Sequence, residues 1–471
     1  MPSEHSDVVI IGAGIAGLVA DHECLEKGHS VTLLERHDDD HVGGLAQWAF
    51  GGMALVGTPL QKRLGIRDTP ALALADWHSF ADFAEHDTWP RRWAEAYVEQ
   101  SAERVYHWLR DKGLRFMPAV NWVERGDYVP GNSVPRYHIL WGTGLGLVRH
   151  FVGRLAEHRH RDRLRCVFGC RVDDLIRHDG RIAGCRGEIE ATREEREFRG
   201  EQIIVATGGI NGNLQKVRDH WYWGDAPEEM LNGSHPYCDG RLHDVVSDHG
   251  GTSTHLENMW NYAAGIPHPQ PLFDGHGLSL IPCKSALWLD HTGRRIGPMP
   301  LVTGFDTNEL CRRLGKLDKP WSWHLLNWRI AAKEFAISGA EHNPHIRDGR
   351  LLPFLRETLF GNHRLVRQMQ AESDHFIVAD TLEELVEQMR ALDGADYLRY
   401  ENVEASARDC DDNVRRGAGQ WTDDQLRRIQ HARAWKSDRL RTCKPAPQLD
   451  HPPYSAIKLR LITRKSLGGI Q

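Results

Sequence analysis

Short apolar runs and helical periodicity alternate at the start of the chain. Residues 7–11 form an apolar run rich in β-branched side chains, which predicts a strand buried in a parallel sheet. Residues 18–27 predict a helix that ends at Gly28, and residues 30–34 predict a second strand. Strand, helix and strand in this order are typical of an α/β fold.

The same patterns divide the rest of the chain. Residues 163–199 alternate and turn at Asp179 and Gly180, which predicts a β-meander. Residues 77–109 predict a helical region whose tryptophans pack in the core or at an interface. A segment rich in proline and glycine after Gly265 predicts a linker. Another buried strand is predicted over residues 203–206, and further helices over residues 237–251, 382–392 and 422–433.

Three glycines follow the first predicted strand directly. Gly12, Gly14 and Gly17 form the pattern G-x-G-x-x-G, in which the first makes a tight turn and the second lets backbone amides approach a pyrophosphate. The third lets the helix pack closely on the strand. Glu35 ends the second strand, where a carboxylate can accept hydrogen bonds from ribose hydroxyls and disfavours a 2′-phosphate. The segment therefore predicts a dinucleotide site, with the phosphates at the helix N-terminus.

Two more glycine-rich segments bear on which dinucleotide this is. Paired glycines at 43–44 and 51–52 let the backbone lie flat against a cofactor, although a flexible loop is the alternative interpretation. The sequence TGG at 207–209 ends a buried strand, and this turn can pack against the same nucleotide.

Together with "GGLAQWAFGGM", "GNSVPRYHILWGTGLG", "LENMWNYAAGI" and "KEFAISGAEHNP", these elements resemble the two-dinucleotide-binding flavoproteins. Within them the chain is most similar to FAD-binding dehydrogenases of the fumarate reductase/3-ketosteroid dehydrogenase group. The resemblance covers nearly the whole chain. It implies an α/β fold with a Rossmann-like FAD domain and β-meander, plus an inserted, mostly helical α+β capping domain. The implied domains are residues 1–265 for FAD binding, 266–446 for the cap and 447–471 for the return to the FAD domain.

The resemblance also implies FAD as the cofactor and places the backbone of Val172 against the adenine. The residues expected to bind FAD are Gly12, Ala13, Gly14, Ala16, Gly17, Glu35, Arg36, Gly43, Gly44, Leu45, Ala46, Gly51, Gly52, Val172, Ala206, Thr207, Gly208 and Gly209.

Oxidation of a carbon–carbon bond beside a ketone needs a donor that polarises the carbonyl and a base for one hydrogen, while the other leaves as hydride to flavin N5. In the resembled families a tyrosine in the position of Tyr454 faces the flavin and activates the ketone; core packing is the alternative interpretation. Lys465 stands where soluble fumarate reductases have a substrate-binding histidine, so it is expected to bind an anion or a carbonyl oxygen, or else to form a surface salt bridge. Tyr262 and His138 are further candidates for the cavity. After Arg295 the acid of the fumarate reductase proton path is absent, which counts against dicarboxylate reduction.

A second nucleotide site is an alternative use of one segment. Gly142, Gly144 and Gly146 precede an amphipathic helix, as in an NAD(P)H site. Their spacing lacks the third glycine in register, and the next strand does not end in a suitable acid. We therefore expect this loop to lie under the flavin region instead.

The charge and the residue composition of the chain restrict the classes of binding partner that we expect. The 471 residues carry a formal charge of −6, so the chain lacks the basic footprint of a nucleic-acid-binding protein. The sequence has no apolar run long enough for a membrane span, no charge run typical of a membrane-binding arm and no leader pattern, which favours the cytoplasm. Nine scattered cysteines predict reduced thiols and no metal site. The expected partners are a small-molecule substrate and an unidentified electron acceptor; the oligomeric state stays open.

In the resembled family, the paired glycines near the C-terminus precede a further strand and a glycine-rich helix that closes the flavin site. Here the chain ends at Gln471, so we expect a truncated product with weak FAD retention if nothing follows. Three hypotheses result. The first is an FAD-dependent dehydrogenase of a steroid-like cyclic ketone, the second a fumarate reductase-like or aspartate oxidase-like dicarboxylate enzyme, and the third a non-catalytic remnant.

Overall fold

The computed structural model of the protein describes residues 4–393 and 397–471. Its strands are β1 (Glu4–Ile11), β2 (Val31–Leu34), β3 (Gly52–Ala54), β4 (Phe116–Asn121), β5 (Tyr137–Leu140), β6 (Leu164–Val167), β7 (Cys170–His178), β8 (Arg181–Ile189), β9 (Glu194–Val205), β10 (Leu231–Asn232), β11 (Ser253–Thr254), β12 (Met259–Pro267), β13 (Gly277–Ile281), β14 (Leu287–Leu289), β15 (Trp321–Asn327), β16 (Ala336–Ile337), β17 (Phe376–Ala379), β18 (Tyr454–Ser466) and β19 (Gly469–Ile470).

The α-helices follow the same chain order. They are α1 (Ile15–Glu26), α2 (Leu45–Trp48), α3 (Pro59–Arg63), α4 (Pro70–Ala81), α5 (Thr88–Ser101), α6 (Trp108–Asp111), α7 (Thr143–Ala156), α8 (Leu214–Asp219), α9 (Arg241–Asp248), α10 (Thr307–Leu314), α11 (Trp328–Glu334), α12 (Pro344–Arg347), α13 (Leu351–Phe360), α14 (His363–Glu372), α15 (Leu382–Asp393), α16 (Tyr400–Arg416), α17 (Asp424–Ala434) and α18 (Lys436–Arg441). Among the residues described, no helix is both long enough and apolar enough to cross a membrane.

A six-stranded sheet forms the first half of the molecule, in the order β6-β2-β1-β9-β8-β7. The first four strands are parallel, and β9, β8 and β7 pair antiparallel. Apolar residues of α1 and α7 cover one face, and those of α9 and the meander cover the other. Burial on both faces explains why the second half of β1, residues 8–11, is a continuous apolar run. The predicted strands 7–11, 30–34 and 203–206 and the first helix are confirmed within a few residues, although β9 begins nine residues before 203.

The meander prediction is confirmed for β7, β8 and β9, with the predicted turn at Asp179 and Gly180, which both have positive φ. It is wrong for β6, because this strand pairs in parallel with β2 and extends the sheet at its other edge. Hydrophobic alternation alone cannot distinguish the two placements.

The predicted helical region 77–109 is broken in two. Asp82 has a left-handed backbone (φ 49°) that ends α4, and α5 continues through a π-helical turn at Ala102–His107 into α6. Trp108 stacks on Phe151 in the core as expected, whereas Trp93 on α5 is 73% exposed. Core packing is therefore found for Trp108, whereas the expectation of an interface for an exposed tryptophan such as Trp93 stays a prediction.

An eight-stranded sheet forms the second half, with β18 at its centre between β15 and β12. The linker expected after Gly265 is instead the end of β12, which makes a hairpin with β13 through pairs such as Ile266 and Leu278. Pro269, Pro271 and Gly275 lie in the turn of that hairpin, whereas Pro267 and Gly277 pair with each other in its strands. The following region combines α10 to α18 with strands of this sheet, so the fold is a mixed α/β fold in both halves. The helices predicted over 237–251, 382–392 and 422–433 correspond to α9, α15 and α17.

Candidate functional site

A cleft of about 410 Å³ lies at the carboxyl ends of β1, β2 and β9. Parallel α/β sheets bind ligands at this edge, and the volume is typical of a small-molecule or cofactor pocket. The residues predicted for the cofactor that line the cleft are Gly12, Gly14, Ala16, Glu35, Arg36, Gly43, Gly44, Leu45, Ala46, Val172, Ala206, Thr207, Gly208 and Gly209.

The three glycines after β1 have different surroundings. A Cβ on Gly12 would lie 2.6 Å from the carbonyl oxygen of Ala206, and Gly12 has a positive φ of 103°. A Cβ on Gly17 would lie 1.9 Å from the carbonyl oxygen of Gly12, so this glycine lets α1 pack on the turn. Gly14 has no heavy atom within 4 Å of the position of a Cβ, and it lines the cleft. Open space over Gly14 at the N-terminus of α1 is what a pyrophosphate requires.

Glu35 ends β2 at the rim of the cleft. Its carboxylate accepts hydrogen bonds from the amides of Ala13 (2.7 Å) and His37 (2.8 Å). Two fixed donors orient this carboxylate toward the cleft, as the predicted ribose-binding role demands. Ala13 itself does not line the cleft and acts through this bond.

Arg36 is held by three groups around the cleft. Its guanidinium pairs with Glu190 at 3.1 Å and Asp239 at 3.2 Å, and it lies 4.2 Å from the ring centre of Tyr237. These partners join the end of β2 to the meander and to the turn before α9. Arg36 therefore forms part of the wall of the cleft, and its positive charge is already paired with Glu190 and Asp239.

Gly51 and Gly52 do not line the cleft. A Cβ on Gly51 would lie 2.7 Å from the backbone of Thr143, and one on Gly52 would lie 1.9 Å from the Tyr137 ring. Both glycines therefore make room for neighbouring parts of the protein, and the prediction that they contact the cofactor receives no support from the geometry. Gly17 is placed in the same way, between α1 and the first turn.

The N-terminus of α7 is covered by protein. Gly144 donates its amide to the carbonyl of Ala49 at 3.0 Å, and a Cβ on it would lie 2.1 Å from the carbonyl oxygen of Ala46. Gly43 lies against Val148 of the same helix. This arrangement leaves no room for phosphate and counts against the NAD(P)H alternative, while the position of the loop under the flavin region stays a prediction.

Sequence reasoning missed the turn before α9. It lines the cleft with Ser234, His235, Tyr237, Cys238, Asp239 and Arg241. The segment predicted a helix but carries no glycine pattern of its own, so its position depends on the fold.

The far end of the cleft joins the two halves of the molecule. Ser466, at the end of β18, accepts a hydrogen bond from the amide of Ile210 at 2.9 Å and donates to Oδ1 of Asn211 at 2.5 Å. A Cβ on Gly209 would lie 2.0 Å from the Ser466 hydroxyl. These contacts hold the residues just before Ser466 beside the cleft.

Two adjacent cations, Arg464 and Lys465, line this end. The Arg464 guanidinium lies 4.8 Å from the ring centre of Tyr262 and donates to the Ser338 hydroxyl at 3.2 Å. The Lys465 ammonium lies 5.2 Å from the ring centre of Trp260. Within residues 4–393 and 397–471, neither cation has a carboxylate at salt-bridge distance, although Arg464 is only 8% exposed. Unpaired cations at such sites are costly unless a ligand compensates them.

The electrostatics of this cluster favour particular protonation states. Burial and, to a lesser extent, the neighbouring Arg464 cation together lower the pKa of Lys465 to about 8. Burial raises the pKa of Tyr262, and the Arg464 cation opposes that rise. Tyr137 interacts with the same two groups, and burial raises its pKa as well. At neutral pH both phenols are therefore hydrogen-bond donors.

Tyr454 lies at the opposite end of β18 from Lys465. Eleven residues of strand separate them, which is roughly 35 Å at about 3.3 Å per residue. The Tyr454 hydroxyl donates to the carbonyl of Leu449 at 2.6 Å, and the ring packs on the core around Trp323. The structure therefore places Tyr454 outside the cleft, because the strand extends through the whole second sheet before it reaches the cleft.

His138 is also outside the cleft. It is fully buried, its Nδ1 donates to the carbonyl of Arg136 at 2.6 Å, and its Nε2 accepts from the Thr58 hydroxyl at 2.8 Å. Burial lowers the pKa of His138 to about 4. Both ring nitrogens are used in the core, so the structure does not bring His138 together with Lys465 and Tyr262.

Comparison with known proteins agrees with this geometry. Residues 7–471 match the family FAD_binding_2, described as the FAD binding domain. A "KsdD-like steroid dehydrogenase" of Mycolicibacterium smegmatis is 39% identical over 491 residues, covering 99% of this chain and 88% of the relative. A "KsdD-like steroid dehydrogenase" of Mycobacterium tuberculosis strain H37Rv is 39% identical over 489 residues, covering 99% of this chain and 85% of the relative.

Solved structures share the fold at low sequence identity. A 3-ketosteroid Δ1-dehydrogenase from Sterolibacterium denitrificans aligns with a TM-score of 0.67 and 13% identity, covering 99% of this chain and 89% of its own. A 3-ketosteroid-Δ4-(5α)-dehydrogenase from Rhodococcus jostii RHA1 aligns with a TM-score of 0.63 and 18% identity, and the alignment covers 99% of this chain and 86% of that one. A flavocytochrome c3 fumarate reductase aligns with a TM-score of 0.66 and 16% identity, and the alignment covers 99% of this chain and 68% of that one.

The cleft fits FAD, since open space over Gly14 at a helix N-terminus and the oriented carboxylate of Glu35 suit its phosphates and ribose. The chain belongs to the FAD-binding domain family that includes the KsdD-like steroid dehydrogenases, and it is an FAD-dependent oxidoreductase.

Proposed function

We propose that this protein dehydrogenates a carbon–carbon single bond beside the carbonyl of a steroid-like cyclic ketone. Support comes from the relatives named as steroid dehydrogenases and from the donor groups at the end of the cleft. The observation that carries the proposal is that Arg464 and Lys465 line the end of the cleft with no carboxylate at salt-bridge distance in the described part of the chain, while Arg464 contacts the ring of Tyr262. A ketone that becomes an enolate during the reaction needs such donors.

We assign the parts of the fold as follows. The six-stranded sheet belongs to a Rossmann-like FAD domain of the two-dinucleotide-binding type, formed by residues 1–265 and 447–471. Residues 266–446 form a capping domain that closes over the cofactor. The helices between α10 and α18 support this assignment, although β12 crosses residue 265 and β18 joins strands of the cap.

The cofactor supplies the hydride acceptor when it is bound in the cleft. The residues that hold it are those lining the cleft from Gly12 to Gly209, with Glu35 at the ribose. Lys465 and Arg464 line the opposite end and face the reacting part of the substrate.

Proton handling falls to two side chains. Tyr262 donates its hydroxyl hydrogen bond to the ketone oxygen, since its raised pKa keeps it protonated. Lys465 accepts the proton from the carbon next to the carbonyl, because with a pKa of about 8 a useful fraction of the amine is neutral near pH 7. The sequence analysis expected Lys465 to bind an anion or a carbonyl oxygen, so the role of base is a new assignment for this residue.

Arg464 acts on Tyr262 and on the substrate oxygen. Its positive charge stabilises negative charge that develops on that oxygen, and its contact with the Tyr262 ring fixes the phenol in place. The bond to Ser338 fixes the guanidinium in turn.

We place the protein in the cytoplasm, with an electron acceptor still to be identified. Free thiols are found at Cys24, Cys166, Cys185, Cys238, Cys283, Cys311, Cys410 and Cys443, which is the usual state in a reducing compartment.

The test uses purified, FAD-loaded protein under anaerobic conditions. Addition of a 3-ketosteroid should bleach the visible flavin absorption and yield a product with one more carbon–carbon double bond. A protein that holds FAD yet is not bleached by any of a panel of ketosteroids would refute the proposed substrate class.

A second candidate is reduction of a carboxylate-bearing alkene. Arg464 and Lys465 favour it, because two unpaired cations can bind a carboxylate. The position of Arg295 counts against this second candidate, because this arginine pairs with Asp423 at 2.5 Å and does not line the cleft. Reoxidation of the dithionite-reduced protein by fumarate, with no bleaching by ketosteroids, would favour this candidate.

A further inference from the structure

Helix α13 turns its apolar side outward. Leu352 is 79% exposed and Phe360 is 76% exposed. Leu351, Leu355 and Leu359 extend the same face, with Arg356 among them. Soluble helices normally bury such a stripe, so a continuous exposed one indicates a surface that meets another apolar phase.

The inward side of α13 is well anchored, so this orientation is not an accident of loose packing. Phe354 packs edge-on against Trp141, with ring centres 5.9 Å apart. Glu357 bonds to His345 at 3.2 Å and to Arg364 at 3.3 Å. The helix keeps Phe354 and Glu357 toward the protein and its leucines toward the outside.

Charge at the edge of this face is mainly positive. Arg350 and Arg356 are exposed, and in the described part of the chain neither makes a salt bridge or a side-chain hydrogen bond. Asp348, the acid near Arg350, pairs with Arg347 at 2.7 Å. Glu357, the one acid of α13, is turned inward and paired. An apolar face with unpaired arginines complements a surface that is apolar beneath and anionic above.

The face also lies near the reaction site. Phe354 belongs to an apolar cluster that contains Ile346, Trp141 and Tyr137. Tyr137 in turn interacts with Tyr262 and Arg464. A continuous apolar region thus leads from the underside of α13 toward the groups assigned to the substrate.

We propose that α13 docks the protein on the surface of a lipid bilayer containing anionic lipid. The helix lies in the plane of the interface, with Leu352 and Phe360 among the acyl chains and Arg350 and Arg356 at the headgroups. The choice of a bilayer rests in part on the proposed function, because a steroid-like substrate partitions into lipid.

A second copy of the chain suits this face less well. Symmetric pairing of α13 with itself would bring the same unpaired arginines together, and the exposed face carries no carboxylate to compensate them. The chain's sequence gave no warning of this surface, because it has neither a charge run nor a long apolar segment.

Sedimentation of the FAD-loaded full chain with vesicles tests the proposal. Vesicles of phosphatidylcholine with phosphatidylglycerol should bind the protein, and vesicles of phosphatidylcholine alone should bind it less. Leu352→Ser should lower binding at least fivefold, and Arg356→Gln should lower it about fivefold on anionic vesicles only. The matched control is Leu272→Ser, since Leu272 is 70% exposed in the β12–β13 turn and should leave binding unchanged.

Two results would overturn the proposal. One is the absence of binding to either vesicle by protein with a normal flavin spectrum. The other is a lipid-free dimer, seen by light scattering, that Leu352→Ser dissociates, which would assign the face to a second copy. Neither measurement uses turnover, so a failure of the proposed substrate class would leave vesicle binding intact, and the reverse also holds.

Discussion

Arg464 and Tyr262 lie on neighbouring strands, with the guanidinium carbon of Arg464 4.8 Å from the centre of the Tyr262 ring. The contact places a buried cation against a phenol at the point where β18 reaches the cofactor cleft. Arg464 lines the cleft, and Tyr262 lies next to it without lining the cleft itself. A substrate bound between them would meet a hydroxyl donor and a positive charge together.

Tyr262→Phe should lower kcat by about 10²- to 10⁴-fold, because it removes the proposed donor to the ketone oxygen. The flavin spectrum and the FAD affinity should not change. The matched control is Tyr454→Phe, which deletes only the bond to Leu449 and should cost about 1 kcal/mol of stability with kcat unchanged. Stopped-flow bleaching of the flavin measures both variants. If Tyr454→Phe loses activity and Tyr262→Phe keeps it, the sequence-based assignment to Tyr454 was right after all.

The activity should rise with pH through the pKa of Lys465. A base must be unprotonated, so kcat/KM should increase about tenfold per pH unit below a pKa of about 8 and level off above it. Lys465→Arg keeps the positive charge and removes this titration. It should retain FAD yet lose at least 100-fold in kcat/KM.

If kcat/KM of Lys465→Arg still rises with pH up to about pH 8, as in the wild type, the titration belongs to another group. A flat wild-type profile between pH 6 and 9 would remove Lys465 from the role of base. The bleaching reaction at saturating FAD gives both profiles.

Gly14→Ala should weaken FAD binding about tenfold or more without unfolding the protein, because its Cβ enters open space over the cleft. Gly14 has a φ of −67°, which alanine adopts without strain. Gly146→Ala is the control, since Gly146 also has open space around its Cβ position but does not line the cleft. Fluorescence titration of the apoprotein with FAD measures the affinity. Equal affinities for the two variants would show that the phosphates do not pass over Gly14.

Much of the first half of the fold could be predicted because its signals are local. Gly12, Gly14 and Gly17 follow a buried strand at once, and the turn at Asp179 and Gly180 defines its hairpin. The second half could not be predicted in this way. The 13-residue β18 pairs with strands from residue 231 to residue 379, and no periodicity of its own sequence specifies partners so distant.

The site divides along the same line. The residues proposed for the phosphates and the ribose belong to one strand–helix–strand segment and were visible in the sequence. Tyr262 and Lys465 lie on neighbouring strands only because β12 pairs with β18, in which Trp260 is opposite Lys465. Arg464 was missed, since an arginine inside a strand looks like a surface residue until its burial is known. The position of Tyr454 outside the cleft could not be predicted, because a motif gives a residue type and a neighbourhood but not the distance along the strand.

Stability should fall as the pH drops below about 6.5, and His138 should account for part of the loss. Burial holds the folded-state pKa of His138 at about 4, below the ordinary value of 6.5. The unfolded chain therefore takes up the proton first as the pH falls, so the stabilisation is present above pH 6.5 and disappears toward pH 4. Between pH 7 and pH 5 this residue alone should lower the free energy of unfolding by about 2 kcal/mol. His138→Gln should have a lower free energy of unfolding than the wild type at pH 7. Between pH 7 and pH 5, its free energy of unfolding should fall by about 2 kcal/mol less than that of the wild type. The control is His178→Gln at an exposed position, which should show the same pH dependence as the wild type. Urea unfolding of the three proteins at both pH values measures the slopes, and a wild-type slope in His138→Gln would show that His138 titrates normally in the folded protein.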